Sequence, residues 1–269
     1  MTSTLKIQLI ASDVDGTLVD DDLNISPENL AAIARARAAG VKVTLITGRS
    51  HYFLDKVVAQ VHPDTPVISA GGACLTDART GELLDCRILA PEAVAGVIHI
   101  ARQYETARFI SLLKGFYFET PPSLRSRFDY VFGHPIDIQL SDDILAEDLV
   151  DPIKIAIYGE ERAMLEKVAA QALREVGGLT YTFPTPDFID VTAADASKGA
   201  ALRRLAAREG IPLKNVLVLG DGNNDLPMFL EAGYSVAMGN AVPELKAAAD
   251  LVAPDNNANG FAWALNQLL

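Results

Sequence analysis

Two carboxylates, Asp13 and Asp15, stand one residue apart just after the short apolar run at residues 9–11. If that run is a buried strand, side chains two positions apart leave it on the same face, so both carboxylates emerge together. Convergent carboxylates repel one another unless a cation or a shared proton offsets their charge. Gly16, which follows, permits a sharp exit that brings backbone close to a ligand. The stretch therefore indicates a metal site, and the alternative is an acidic turn exposed to solvent.

Further polar residues follow other predicted strands or open a helix, and in open parallel sheets ligands bind beyond the carboxyl ends of the strands. They are Thr47, Gly48 and Arg49 after the strand at 41–46, Lys198 in the first turn of a helix, and Asp221, Asn224 and Asp225 after the strand at 216–219. A lysine in a first helical turn is disfavoured by the helix dipole, so Lys198 calls for a bound anion. Four acidic side chains, a hydroxyl and a lysine at one crevice fit a divalent cation with oxygen ligands that bridges to a phosphate.

Softer metals are disfavoured, because no ligand spacing connects the four histidines, which are His51, His62, His99 and His134. Two residues near the crevice allow more than one role. Arg49 either contacts a substrate or makes structural ion pairs. Asp225 caps a helix, supports a metal ligand, or does both.

The elements that position these residues alternate between strand and helix. Helix starts are predicted at Ser26 and Ser197, and strands at 41–46, 67–69, 216–219 and 235–238. This alternation predicts an α/β fold with a doubly wound, Rossmann-like parallel sheet, formed by residues 1–83 and 190–269. Residues 84–189 mix helices with aromatic-rich strand candidates and are long enough for an inserted mixed α/β domain. Residues 183–187 are the predicted linker back to the core.

Composition places the chain among globular proteins, because 49% of its 269 residues are hydrophobic. The formal charge of −12, from 35 acidic and 23 basic residues, argues against nucleic acid or an anionic membrane as a partner. Neither a secretory leader nor a membrane-spanning apolar run stands out, so the expected location is the cytoplasm. In that reducing compartment Cys74 and Cys86 are expected to be small buried thiols. The sequence indicates no oligomeric state.

Four stretches resemble, in the same order, the motifs of the haloacid dehalogenase-like phosphatases. They are Asp13-Val14-Asp15-Gly16-Thr17-Leu18, Thr47-Gly48-Arg49, Ser197-Lys198-Gly199 and Gly220-Asp221-Gly222-Asn223-Asn224-Asp225. The segment 232–241 is similar to the Cof-type sugar-phosphatase branch, whose members carry a mixed α/β cap domain after the third strand. The sequence departs from that branch at 69–73, where an asparagine is usual, and at 257–260, where an acidic residue before the glycine is usual.

The resemblance implies a Mg²⁺-dependent phosphatase that acts on a small phosphorylated metabolite, with sugar phosphates as the first expectation. It implies that Asp13 is the nucleophile, which forms an aspartyl-phosphate, and that Asp15 is the acid and base. The Mg²⁺ would be bound by the Asp13 side chain, the Asp15 backbone carbonyl and Asp221, with Asp225 in support. The implied phosphate-binding residues are Thr47, Gly48, Lys198 and Asn224.

Three other functions can be compared with that of a phosphatase. A phosphomutase of the same superfamily returns the phosphoryl group to its substrate, and the motifs do not separate it from a phosphatase. A signalling module phosphorylated on aspartate would have no use for an acid–base at Asp15 or for the insertion at 84–189. A dehalogenase is disfavoured, because carbon–halogen chemistry needs neither a Mg²⁺ ligand set nor an acid for the leaving group.

Overall fold

The computed structural model describes residues 6–133 and 138–269, and the prediction about His134 lies outside them. By its internal contacts the chain divides into two compact units. The first, called the core unit, comprises the described residues up to Asp85 together with Ser197–Leu269. The second, called the inserted unit, is Cys86–Ala196.

Strands and α-helices, numbered in chain order, make up most of the described part of both units. The strands are β1 (Leu9–Ser12), β2 (Lys42–Leu45), β3 (Val67–Ser69), β4 (Cys74–Thr76), β5 (Leu83–Cys86), β6 (Ala107–Leu112), β7 (Gly115–Glu119), β8 (Ile138–Leu140), β9 (Pro152–Tyr158), β10 (Leu179–Thr185), β11 (Phe188–Ala193), β12 (Val216–Gly220), β13 (Tyr234–Ala237) and β14 (Leu251–Val252). The helices are α1 (Pro27–Ala38), α2 (Asp55–Val61), α3 (Pro91–Ala101), α4 (Arg162–Glu175), α5 (Lys198–Glu209), α6 (Leu226–Phe229), α7 (Pro243–Ala248) and α8 (Gly260–Leu268). None of these described helices is long and apolar enough to cross a membrane.

Five parallel strands form the sheet of the core unit, in the order β14-β13-β12-β1-β2. The last residue of β1, Ser12, is in register with Leu219 of β12 on one side and with Leu45 of β2 on the other. A parallel bridge between Ile46 and Ile68 continues the pairing from the end of β2 to β3. The predicted parallel sheet is therefore confirmed, and the carboxyl ends of β1, β2 and β12 meet at one edge.

Helices cover both faces of this sheet. Successive side chains of β1 point to opposite faces, so neighbouring residues of β1 pack against different helices. Ile10 packs in an apolar cluster with Ile33 of α1 and Phe261 of α8. Leu9 packs in a separate cluster with Leu202 of α5. All four residues of β1 are fully buried, as expected for a central strand of a sheet covered on both faces. The residues that follow β1 therefore begin at the end of a fully buried strand.

The predicted helix starts at Ser26 and Ser197 are confirmed. The Ser26 side chain accepts a hydrogen bond from the Asn29 N–H at the start of α1. Ser197 accepts one from the Ala200 N–H at the start of α5. Such caps satisfy amides that have no partner within the helix. The cap at Ser197 also fixes Lys198 as the first residue of α5.

The inserted unit is built on a six-stranded sheet in the order β10-β11-β9-β6-β7-β8. Its neighbouring strands are antiparallel, except that β7 and β8 run parallel. On one face, Val97 of α3 and Leu165 of α4 pack in a cluster with Ile155 of β9. An aromatic cluster also belongs to this unit, and in it Phe109 stacks on Phe118 with 4.3 Å between ring centroids. The mixed α/β character expected of the insertion is confirmed.

The linker predicted at residues 183–187 is wrong, because this segment belongs to a hairpin. β10 extends to Thr185 and β11 begins at Phe188, so only two residues separate the strands. Pro184 is tolerated because β10 is an edge strand, where a missing N–H need not remove a hydrogen bond between strands. The pairing is also irregular between Thr182 and Thr185, around this proline.

The prediction of two free thiols is wrong as well. Cys74 begins β4 and Cys86 ends β5, and both cysteines are disulfide-bonded. β4 and β5 are neighbours in a three-stranded sheet with β3. Sequence spacing alone does not reveal that arrangement.

A buried carboxylate of the inserted unit, that of Glu119, is paired with two arginines. The Glu119 carboxylate lies 2.5 Å from Arg102 Nη2 and 2.8 Å from Arg108 Nη2, and accepts the Ile144 N–H at 2.7 Å. The side chains of Glu119 and Arg108 are only 6% and 7% exposed. Burial alone would raise the pKa of Glu119, but the hydrogen bonds from Arg102 and Ile144 and the charge of Arg108 outweigh it. The pKa of Glu119 therefore lies below its ordinary value.

The substitution Glu119→Gln should lower the free energy of unfolding by about 3–5 kcal/mol, because it leaves the buried Arg108 without a charged partner. Urea unfolding at pH 7 measures the change. Glu175→Gln, which breaks the exposed pair with Arg174, is the control and should change the value by less than about 0.5 kcal/mol. A loss no larger than that of the control would contradict the prediction.

The same variant should show a defined pH dependence. The folded-state pKa of Glu119 lies below the unfolded value of about 4.3, so the stabilisation by its ionised form is complete above that pH. It is lost as the pH falls through the lower, folded-state pKa. The difference in unfolding free energy between wild type and Glu119→Gln should therefore shrink in acid, and a constant difference down to pH 3 would be inconsistent with this origin.

Candidate functional site

The candidate site is built around one buried ammonium group, that of Lys198. Its side chain is fully buried, and Nζ lies 2.8 Å from Asp13 Oδ2 and 2.6 Å from Asp225 Oδ1. Burial alone would lower the pKa of Lys198, but the charges of Asp13 and Asp225 outweigh burial and raise it. The anion that a lysine at a helix start requires is therefore supplied by the protein itself, from the segments after β1 and β12.

A third carboxylate completes a group with the composition of a metal site. One oxygen each from Asp13, Asp221 and Asp225 lies within 4.8 Å of the others. Three carboxylates and the ammonium of Lys198 leave a formal charge of −2, which one divalent cation would neutralise. Within the described ranges no histidine belongs to this group, and oxygen-only donors suit a hard cation. The residues therefore fit a divalent cation such as the predicted Mg²⁺.

Burial and crowding both act against the ionised forms of these carboxylates. Burial raises the pKa of Asp13, and so does the charge of Asp225, while the charge of Lys198 opposes the rise. Burial, with the charge of Asp225, raises the pKa of Asp221 to about 6. A carboxylate must lose its proton to bind a metal, so cation binding at this site is coupled to proton release.

Two side chains without a predicted role orient Asp221. Thr17 Oγ1 donates to Asp221 Oδ1 at 3.1 Å, while Asn240 Nδ2 lies 3.4 Å from Oδ2 and donates to the Gly16 carbonyl at 2.8 Å. The roles of these residues could have been predicted from sequence, because Thr17 lies in the first motif and Asn240 lies in segment 232–241. Gly16 has φ +66° and packs against the same carboxylate, because a Cβ there would lie 2.3 Å from Asp221 Oδ2.

Asp225 shapes the loop that presents Asp221. Its Oδ2 accepts the N–H groups of Asp221 and Gly222, both at 2.9 Å, and its Oδ1 accepts from Lys198. The Asp225 side chain is fully buried. Both of its oxygens therefore have donors from the protein. Asp225 thus closes the turn at 221–222 and holds Lys198, and as the residue before α6 it makes no side-chain cap hydrogen bond to that helix.

Asp15 contributes no carboxylate oxygen to the group of Asp13, Asp221 and Asp225. Its carboxylate is held by Arg49, with 2.8 Å between Nε and Oδ2 and 2.5 Å between Nη2 and Oδ1. The Asp15 side chain is 49% exposed. Of the two roles considered for Arg49, the structure shows the ion pair.

The residues predicted to bind phosphate come from several segments at the same edge of the sheet. Thr47 is buried, and its Oγ1 accepts the Arg49 N–H at 3.1 Å. Gly48 lies beside Asn224, since a Cβ built on Gly48 would be 3.8 Å from Asn224 Nδ2. The structure therefore brings Gly48 and Asn224 together. Lys198 forms an ion pair with Asp13, and the Thr47 hydroxyl closes the turn to Arg49.

The turn at 69–73, one of the departures from the family pattern, holds the segment 47–49 through the backbone. The Ala70 N–H donates to the Arg49 carbonyl at 2.7 Å, and the Gly71 N–H donates to the Thr47 carbonyl at 3.0 Å. These bonds do not involve side chains of the turn. The departure therefore leaves the anchoring of Thr47 and Arg49 intact.

Known proteins share both the sequence pattern and the fold. A family model described as haloacid dehalogenase-like hydrolase matches residues 10–265. The chain is 31% identical over 295 residues to the 5-amino-6-(5-phospho-D-ribitylamino)uracil phosphatase YwtE of Bacillus subtilis strain 168, with 98% of each chain covered. It is 28% identical over 270 residues to the pyridoxal phosphate phosphatase YbhA of Escherichia coli K12, with 95% of this chain and 96% of that protein covered.

The fold has close counterparts among solved structures. A haloacid dehalogenase-like hydrolase from Bacillus subtilis superimposes with a TM-score of 0.87 at 26% identity. The match covers 98% of this chain and 100% of that one. The likeness therefore extends over both units of the chain.

The substitution Gly16→Ala should weaken binding of a divalent cation by about 10- to 100-fold, because the new Cβ displaces the Asp221 carboxylate. Gly210→Ala is the matched control, since Gly210 has the same φ of +66° but no heavy atom within 4 Å of its Cβ position. Calorimetric titration with Mg²⁺ measures the affinity of each variant. Thermal unfolding reports the backbone strain of about 1–2 kcal/mol that both share. Equal Mg²⁺ affinity in the two variants would contradict the assignment of Asp221.

Proposed function

Because the chain belongs to the haloacid dehalogenase-like hydrolase family and is a phosphatase of its Cof type, we propose that it hydrolyses phosphate monoesters of small metabolites. In this proposal the reaction depends on Mg²⁺ and passes through an aspartyl-phosphate on Asp13. The observation that supports it most is the setting of Asp13, which has Lys198 on one oxygen and two further carboxylates beside it.

The Asp13 carboxylate is oriented by a contact to each of its oxygens, as attack on phosphorus requires. Its Oδ2 binds Lys198, and its Oδ1 accepts the Val14 N–H at 2.7 Å, so the carboxylate has a defined orientation. In the first half-reaction an Asp13 oxygen forms a bond to phosphorus while the ester P–O bond breaks. Asp15 gives its proton to the leaving alkoxide, which departs as the alcohol.

The second half-reaction returns Asp13 and Asp15 to their starting states. Water attacks the phosphorus, the bond from phosphorus to Asp13 breaks, and inorganic phosphate leaves. Asp15, ionised by the first half-reaction, takes the proton of the attacking water. Ester and water are thereby converted to alcohol and phosphate.

The proposed Mg²⁺ ligands are the side chains of Asp13 and Asp221 and the backbone carbonyl of Asp15. Bound Mg²⁺ would neutralise the charge of the phosphate that Asp13 has to approach. In this proposal Asp225 supports the Mg²⁺ ligands indirectly, because its oxygens already accept hydrogen bonds from Lys198 and from two backbone N–H groups.

Four residues are proposed to bind the phosphoryl oxygens: Thr47, Gly48, Lys198 and Asn224. Donors aimed at the oxygens where charge develops stabilise the transition state more than any other single group of contacts. The raised pKa of Lys198 supports this assignment, because it keeps the ammonium charged. The proximity of Gly48 to Asn224 supports it as well, since donors from two strand ends converge there.

The proposed substrates are small phosphate monoesters, with sugar phosphates as the first expectation. Relatives are named for two unlike substrates, 5-amino-6-(5-phospho-D-ribitylamino)uracil and pyridoxal phosphate, and the shared chemistry of the two is a phosphate monoester. We assign the choice among such esters to the insertion predicted at 84–189, acting as a cap domain. The core predicted at 1–83 and 190–269 would carry the chemistry.

Phosphate release from a panel of phosphorylated metabolites, with and without Mg²⁺, tests this function. Wild type should release phosphate from at least one ester in Mg²⁺, and Asp13→Asn should lower kcat by about 10³-fold or more. Asp142→Asn, a substitution of an exposed aspartate in the inserted unit, is the control and should keep full activity. Conversion of an ester to an isomer without free phosphate would instead support a phosphomutase. Full activity of Asp13→Asn would contradict the mechanism.

A further inference from the structure

The contact between Arg49 and Asp15 fixes the orientation of the proposed acid–base. Both oxygens of Asp15 accept from Arg49, Oδ2 from Nε at 2.8 Å and Oδ1 from Nη2 at 2.5 Å. Such a two-point contact sets the plane of the carboxylate as well as its position. A carboxylate has about four lone-pair sites, so one site on each oxygen stays available for a proton.

Arg49 is itself anchored in the turn after β2. Its backbone N–H donates to Thr47 Oγ1 at 3.1 Å, and its carbonyl accepts the Ala70 N–H at 2.7 Å. Its Nη1 lies 3.5 Å from the Phe53 carbonyl oxygen. The Arg49 side chain is 21% exposed, whereas that of Asp15 is 49% exposed. The more exposed side chain, that of Asp15, is therefore held by the less exposed and better anchored one.

Stability does not explain why this ion pair is present. Exposed ion pairs contribute about 0–1 kcal/mol, and the Asp15 side chain is almost half exposed. What the pair does supply is a defined geometry for a carboxylate that would otherwise rotate in solvent. Asp15 is also the residue to which the proposed reaction assigns both proton transfers.

We propose that Arg49 is a positioning residue for Asp15, which keeps the free lone pairs of the carboxylate directed toward the leaving oxygen of the substrate. The inference rests on the proposed phosphatase function and adds a residue to which that function assigns no role. In the first half-reaction Asp13 bonds to phosphorus, the ester P–O bond breaks, and the Asp15 proton moves to the leaving oxygen. Arg49 stays paired with Asp15 and exchanges no proton.

This role makes the effect of Arg49 depend on the leaving group. An alkyl phosphate expels a strongly basic alkoxide, which needs the proton of Asp15. p-Nitrophenyl phosphate expels a weakly basic phenolate, which needs little proton transfer. The ratio kcat/KM reports the first half-reaction, in which the two esters differ, and not the shared hydrolysis of the aspartyl-phosphate.

The test compares Arg49→Met and Arg49→Lys with wild type in Mg²⁺, on an alkyl phosphate from the panel above and on p-nitrophenyl phosphate. For Arg49→Met, kcat/KM should fall about 10- to 100-fold with the alkyl ester and less than about threefold with the aryl ester. The inhibition constant of inorganic phosphate, which has no leaving group, should stay within about threefold. Arg49→Lys keeps the charge but not the two-point contact, so it should behave like Arg49→Met.

Arg203→Met is the control, because it breaks an exposed ion pair with Glu231 in the same unit. It should leave both kcat/KM values and the thermal unfolding temperature unchanged. Equal losses of kcat/KM with both esters would overturn the proposal. If the phosphate inhibition constant rose as well, Arg49 would be assigned to phosphate binding. If the unfolding temperature fell as well, Arg49 would be assigned a structural role. Full activity of Arg49→Lys would overturn the proposal too, since charge alone would then suffice.

These outcomes are distinct from a failure of the proposed function. If wild type released phosphate from neither ester in Mg²⁺, the phosphatase assignment itself would be wrong. If wild type released phosphate and Asp13→Asn did not, the function would stand, and only the comparison of the two esters would decide the role of Arg49.

Discussion

The candidate site depends on one buried ion-pair arrangement, in which Lys198 lies between Asp13 and Asp225. Taking an ammonium group or a carboxylate out of water is costly unless opposite charges and hydrogen bonds compensate for it closely. Three segments distant in sequence must therefore meet with good geometry. The third carboxylate, Asp221, leaves this group with a formal excess of two negative charges, which one divalent cation would neutralise.

The parallel sheet meets this requirement by bringing β1, β2 and β12 side by side with their carboxyl ends at one edge. The Ser197 cap starts α5 at the residue whose ammonium group reaches Asp13. Small and polar residues then complete the placement, because Gly16 lets Asp221 approach the backbone and Thr17 binds one of its oxygens. Two relatives of the chain are named for different phosphorylated substrates, 5-amino-6-(5-phospho-D-ribitylamino)uracil and pyridoxal phosphate.

Much of the core unit can be predicted from sequence, because its signals are local. Apolar runs mark the strands, serine caps mark helix starts, and the ends of parallel strands show that Asp13 and Asp221 should meet. The hairpin through 183–187 cannot be predicted in this way, because a proline there is acceptable only in an edge strand, and strand order is a property of the whole sheet. The pair between Arg49 and Asp15 joins residues 34 positions apart, so its geometry also depends on the folded chain.

The central claim is that Asp13 carries the phosphoryl group during turnover. The most direct measurement is rapid quenching of wild type during hydrolysis of an ester in Mg²⁺, followed by borohydride reduction, which converts phosphoaspartate to homoserine. Peptide mass spectrometry then locates the modified residue. Homoserine is expected at position 13 and at no other aspartate. Homoserine at a different aspartate, or none in quenched enzyme that is turning over substrate, would contradict the claim.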